Sequence, residues 1–112
     1  MTRVNLGIKP RLLSREHLLA EHREIKRIPN HLTKHGLKSL NNAPSHYKLG
    51  KGHFKFFLQY GLYTLIRYTE IYGECIRRNY DVEWYGVAWL VYYKLEYAHL
   101  FLYYKPTAED IA

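Results

Sequence analysis

Cysteine is almost missing from this chain: Cys75 is the one thiol in the sequence. A lone thiol closes no internal disulfide and builds no thiolate-rich zinc site. Seven histidines are present, but none falls in an HExxH spacing. No metal or other cofactor is therefore expected. Long apolar runs are also missing, and none reaches the roughly 18 residues of a membrane span. The N-terminus is polar within its first residues and lacks a secretory apolar stretch. These absences favour an intracellular, cytoplasmic chain with no membrane partner. Acidic residues are scarce beside basic ones, 10 against 17, which leaves a formal net charge of +7.

The 112 residues suit one domain, and a hydrophobic content of 47% is enough for a core. Part of that content is amphipathic, since it includes 12 Tyr and 2 Trp. A basic domain rich in aromatics suits a polyanionic partner, DNA or RNA. A basic protein with no nucleic-acid role has the same composition.

Residues 1–13 carry Gly7 and Pro10 and read as an irregular lead-in. Ser14 is a suitable cap for a helix over 14–27, with Glu16 in its first turn. On a helical wheel Leu18, Ile25, Ile28 and Leu32 share one face, beside a polar face of His17, Glu24, Arg27 and His31. Pro29 is expected to break or kink this run, and residues 30–35 to continue as a second piece ended by Gly36. Residues 36–53 read as a loop. A long core helix is expected over about 54–78, with Gly61 and Gly73 as possible points of close backbone packing. The stretch 80–105 permits strands or helices. A stripe of Leu90, Lys94, Tyr97 and Phe101 favours helix, Pro106 ends it, and Thr107 begins a further helical turn.

Two features carry chemistry. Thr2 is small enough to favour removal of the initiator Met1. The α-amine exposed at Thr2 has a reference pKa of roughly 7.7–8.0, so much of it is neutral and nucleophilic near pH 7. Amines attack carbonyl-like carbons to form Schiff bases. The second feature is Arg23-Glu24 followed by Arg27. Arginines four apart lie close on one helical surface. They read either as a solvated salt-bridge network or as a phosphate clamp around a proton-handling carboxylate.

Thr2-Arg3-Val4-Asn5-Leu6 is followed by His17-Leu18-Leu19-Ala20-Glu21-His22-Arg23-Glu24-Ile25, then Arg27, Lys34-His35 and Leu49-Gly50-Lys51-Gly52-His53-Phe54-Lys55-Phe56-Phe57. This order resembles the phage endonuclease V family, the pyrimidine-dimer DNA glycosylases. The similarity continues through Glu74-Cys75 and Arg78, while 80–105 matches poorly. The resemblance implies an all-α, compact single-domain fold over 1–112, with the N-terminal segment threaded between helices. It implies Thr2 as nucleophile and Glu24 as catalytic acid or base. Arg3, Arg23, Arg27 and Lys51 would contact DNA, with His17 beside the site and a turn at Gly52-His53. The partner would be double-stranded DNA bearing a damaged, modified or abasic nucleotide, bound by a monomer without cofactors in a bacterial or phage-infected cell. Base loss with attack of the amine on C1′ would give a Schiff base, and β-elimination would cut the strand. Arginines near Thr2 lower the pKa of its amine and a close carboxylate raises it.

The chain departs from the family at Lys26, where Pro is usual, and the C-terminus looks shortened by an aromatic and basic tail. Tyr92, Tyr93, Tyr97, Tyr103 and Tyr104 suit either core packing or base stacking. Two other functions fit the sequence: a non-catalytic basic DNA-binding protein with the same fold, and an assembly protein using its Tyr-rich surface.

Overall fold

In the computed structural model, which describes residues 4–40 and 56–106, Ser14 starts the first helix. Its Oγ accepts a hydrogen bond from the His17 backbone N–H at 3.2 Å, and α1 runs Arg15–Glu24. The second helix, α2, spans Arg27–His35. The expected run over 14–27 therefore divides at Ile25 and Lys26, a turn ahead of Pro29. Proline has no N–H to give the carbonyl four residues earlier. That carbonyl, on Ile25, accepts instead from Ile28 N–H at 3.1 Å. Pro29 itself sits in the first turn of α2, where helical N–H groups lack intrahelical acceptors anyway. Gly36 ends α2 with φ of 64°, a left-handed value that glycine adopts without strain.

The third helix, α3, covers Gly61–Arg77. The long helix expected over 54–78 is interrupted at Gln59 and Tyr60, and residues 56–58 are helical ahead of the break. Buried Tyr92 explains the break. Its hydroxyl donates to the Leu58 carbonyl at 3.2 Å, in place of a helical N–H. Its ring covers Gly61 so closely that a Cβ there would lie 2.6 Å from Cζ. Gly73, by contrast, faces open space and mediates no close packing.

Residues 80–106 contain no strand and no α-helix; their regular structure is two 3-10 runs, Gly86–Tyr93 and Leu95–Leu100. The stripe expected here is not the buried one. Leu90 is 55% exposed, and Lys94 sits exposed between the runs. Trp89 with Tyr92, and Tyr97 with Leu100, are buried, at the three-residue spacing of a 3-10 turn. Tyr92 and Tyr97 thus belong to the core and Tyr104 packs against it, whereas Tyr93 and Tyr103 are exposed. The turn expected at Thr107 lies outside the described residues.

Among the described residues the fold is all-α. α1 packs on α3, and α2 on the run Gly86–Tyr93. A main core joins Val4, Leu6, Ile25, Ile28 and Leu32 to the aromatics, and a smaller one groups Leu13, Leu18, Ile71 and Cys75. No described helix is long and apolar enough to cross a membrane.

Candidate active site

Val4 and Leu6 are buried in the main core, which draws the N-terminal segment against the helices. Asn5, between them, turns to α1: its backbone N–H and its Nδ2 donate to Glu21 Oε1 at 3.3 and 2.7 Å. Arg67 on α3 holds the same carboxylate through Nε to Oε2 at 2.7 Å and Nη2 to Oε1 at 3.0 Å. A further nitrogen of Arg67, Nη1, donates to the Ile8 carbonyl. Residues 5–8 are thus tied to both α1 and α3, the threading expected of the N-terminal segment. Burial alone would lower the Arg67 pKa; hydrogen bonding and charge from Glu21 outweigh it and hold the guanidinium above its usual range. Neighbouring Tyr63 is pushed up to about 12, chiefly by burial.

A second arginine secures the next stretch. Arg78 Nη2 donates to the carbonyls of Pro10, Arg11 and Leu13 at 3.3, 3.2 and 2.9 Å. Its Nε meets Glu74 Oε2 at 2.6 Å, and Arg77 joins the same carboxylate. Hydrogen bonds from Arg77 and then Arg78 hold the Glu74 carboxyl down to about 2.

Between the segment and α1 lies a cleft of about 550 Å³, lined by Asn5, Ile8, Leu12, Leu13, His17 and Glu24 among others. One wall is apolar; the other presents a carboxylate and, two helical turns earlier, an imidazole. Glu24 is the last residue of α1, and its side chain is 16% exposed. It pairs with Arg23 Nη2 at 3.1 Å, and that arginine is 60% exposed. Arg27 is exposed at the first position of α2 and forms no ion pair among the described residues. Arg23 and Arg27 therefore do not share one continuous helical surface, as their spacing led one to expect. They stand on either side of the break that Pro29 imposes. Thr2, Arg3, Lys51 and the Gly52-His53 turn lie outside the described residues.

Three polar residues of this region escape sequence reasoning. Glu21 and Arg67 are separated by 46 positions, so no local motif joins them. The available signal was a charge on an apolar stripe: Glu21 falls between Leu18 and Ile25, and Arg67 between Tyr63 and Ile71. His22 is the third. Its Nε2 lies 2.9 Å from the Glu83 carbonyl and 3.1 Å from Tyr68 Oη, inside a cage of Tyr68, Tyr72 and Tyr85. Burial lowers its pKa, the Glu83 carbonyl partly opposes this, and nearby Lys26 adds to it. Lys26 places Nζ 3.5 Å from the Tyr85 ring centroid, a cation–π contact. Among the described residues no group of three His, Cys, Asp or Glu is placed to hold a metal ion.

The chain's first three quarters carry a family signature that agrees with this geometry. Residues 1–84 match the family model described as pyrimidine dimer DNA glycosylase. No solved structure gives a significant match. The match spans the N-terminal segment, α1, α2 and α3, the elements that build the cleft, and the chain belongs to the pyrimidine dimer DNA glycosylase family.

Proposed function

We propose that this DNA glycosylase and abasic-site lyase excises a damaged pyrimidine, a pyrimidine dimer first among candidates, with the α-amine of Thr2 as nucleophile and Glu24 as its proton-handling partner. The observation that carries this reading is the tie between Asn5 and Glu21. Three residues of chain reach at most roughly 10 Å, so the Thr2 amine stays within that radius of Asn5. Residues three apart on a helix lie about 5–6 Å apart on one face, so Glu24 stands one step along α1 from Glu21. The intervening chain is thus long enough for the amine to reach the Glu24 carboxylate once Met1 is removed.

The chemistry follows from those two groups. The neutral amine donates its lone pair to C1′ as the glycosidic electron pair departs with the base, which takes up a proton. The nitrogen then loses a proton, the C1′–O4′ bond opens, and O4′ accepts a proton. The product is a protonated imine, an iminium, between Thr2 and C1′. Glu24 relays these protons and, as a carboxylate, stabilises the cationic nitrogen. The iminium acidifies the C2′ hydrogen. Its removal forms the C2′–C3′ double bond and expels the 3′ phosphate, which cuts the strand. Exposed Arg23 and Arg27 suit contact with the flanking phosphates, and Arg3 and Lys51 add charge to the same task. His17, on the same wall of the cleft two helical turns before Glu24, serves as a DNA contact or proton relay. The enzyme is expected to act as a monomer.

Intact mass, which shows whether Met1 is gone, followed by borohydride reduction with an abasic duplex, tests the reading. A covalent protein–DNA adduct is the expected result. Salt-dependent binding without any adduct would favour the non-catalytic DNA-binding alternative, which accounts for the +7 charge, Arg23 and Arg27.

A further inference from the structure

We infer that Asn5, Glu21 and Arg67 form a positioning device that sets the orientation of the chain's N-terminal amine relative to Glu24. The inference rests on the function proposed above. Buried ion pairs are retained at a desolvation cost that well-packed apolar residues avoid, so their geometry should be asked for a further role. Here the remaining valences of the pair are spent on the N-terminal segment. Glu21 Oε1 accepts from Asn5 N–H, Asn5 Nδ2 and Arg67 Nη2 together. The Arg67 nitrogen left over donates to the Ile8 carbonyl. The pair thus grips backbone on both sides of Gly7, whose φ of 74° turns the segment.

Apolar burial cannot do this alone. Val4 and Leu6 fix how deeply the segment sits, but apolar contact is not directional. Asn5 lies between them and adds two directional bonds to one oxygen, which orient the backbone there. The chain that precedes Val4 starts from that orientation. A tilt at Asn5 is magnified over the remaining chain, and misplacement of a reacting atom by about 1 Å can cost 100-fold in rate. Asn5, Glu21 and Arg67 act through Thr2 and are positioning residues.

The test is single-turnover trapping on an abasic duplex at saturating protein, beside the affinity for a duplex carrying a tetrahydrofuran abasic analogue. Asn5→Ala is expected to slow trapping at least tenfold while the analogue's Kd stays within twofold. Ile71→Val, a cavity in the smaller core, is expected to lower stability yet trap within twofold of wild type. Arg67→Lys keeps the charge at Glu21 but has no fork to hold the Ile8 carbonyl as well. It serves where Asn5→Ala fails to fold, with the same tenfold loss expected. Wild-type rates in the Asn5 or Arg67 variant overturn the positioning role and leave the proposed function standing. So does a Kd that weakens in step with the rate. A wild-type enzyme that forms no adduct overturns the proposed function itself, and this inference with it.

Discussion

Arg23 holds Glu24 through one ion pair, 3.1 Å from Nη2 to Oε2, with the arginine mostly in water and the carboxylate mostly out of it. An ion pair whose cation is this exposed contributes about 0–1 kcal/mol to stability. The arginine can therefore trade its carboxylate for a phosphate at little cost. Arg23→Ala is expected to change unfolding free energy by less than about 1 kcal/mol. It should weaken duplex binding and reduce the slope of log K against log salt by roughly 0.9, the value for one phosphate contact. Titrations at three or more salt concentrations check this.

Glu24→Gln keeps the shape of the side chain and removes its proton chemistry. Base release and strand cutting should each fall by about 100-fold or more, the usual range for loss of a general acid or base. Affinity for damaged duplex should be retained. Single-turnover gel assays on lesion-bearing and abasic duplexes separate the two steps.

The two glycines of α3 are expected to respond in opposite directions. Gly61→Ala drives a methyl into the buried Tyr92 ring and should cost about 1–3 kcal/mol. Gly73→Ala meets nothing within 4 Å and should gain up to about 1 kcal/mol from helix propensity. Urea denaturation of the two variants checks both signs.

Stability should fall with acid in two stages. The folded state lowers the His22 pKa from 6.5, so below that value the unfolded chain binds more protons than the folded one. The contribution of neutral His22 is complete above pH 6.5 and is lost as pH falls through its depressed folded value. Glu74 is held at about 2 against an ordinary 4.5, so its contribution is complete above pH 4.5 and lost as pH falls toward 2. Urea midpoints measured across pH should lose the upper slope in His22→Gln and the lower slope in Glu74→Gln.

Much of this architecture was legible in the chain. The stripe of Leu18, Ile25, Ile28 and Leu32 is wholly buried, and Ser14 and Gly36 bound the helices as their chemistry directs. What escaped was set by partners distant in sequence. The gap before Gly61 depends on the Tyr92 hydroxyl and ring, 31 and more positions away, which no local pattern reveals. The break at Ile25 was displaced because proline acts on the carbonyl of the preceding turn. The Tyr-rich stretch kept a three-residue period that reads poorly against a template of 3.6. Of the candidate site, the structure brings Glu24 and His17 to one cleft and leaves Arg23 and Arg27 exposed at either side of a break. The clamp at Glu21 and Arg67 was hidden because its two charges belong to different helices.

The proposed mechanism turns on which nitrogen bonds to the sugar. After borohydride trapping on an abasic duplex and nuclease digestion, peptide mass spectrometry locates the reduced sugar remnant. It is expected on the α-nitrogen of Thr2, in a peptide that has lost Met1, with no trapping when Met1 is retained. A remnant on a lysine side chain, or equal trapping with Met1 in place, would contradict the mechanism.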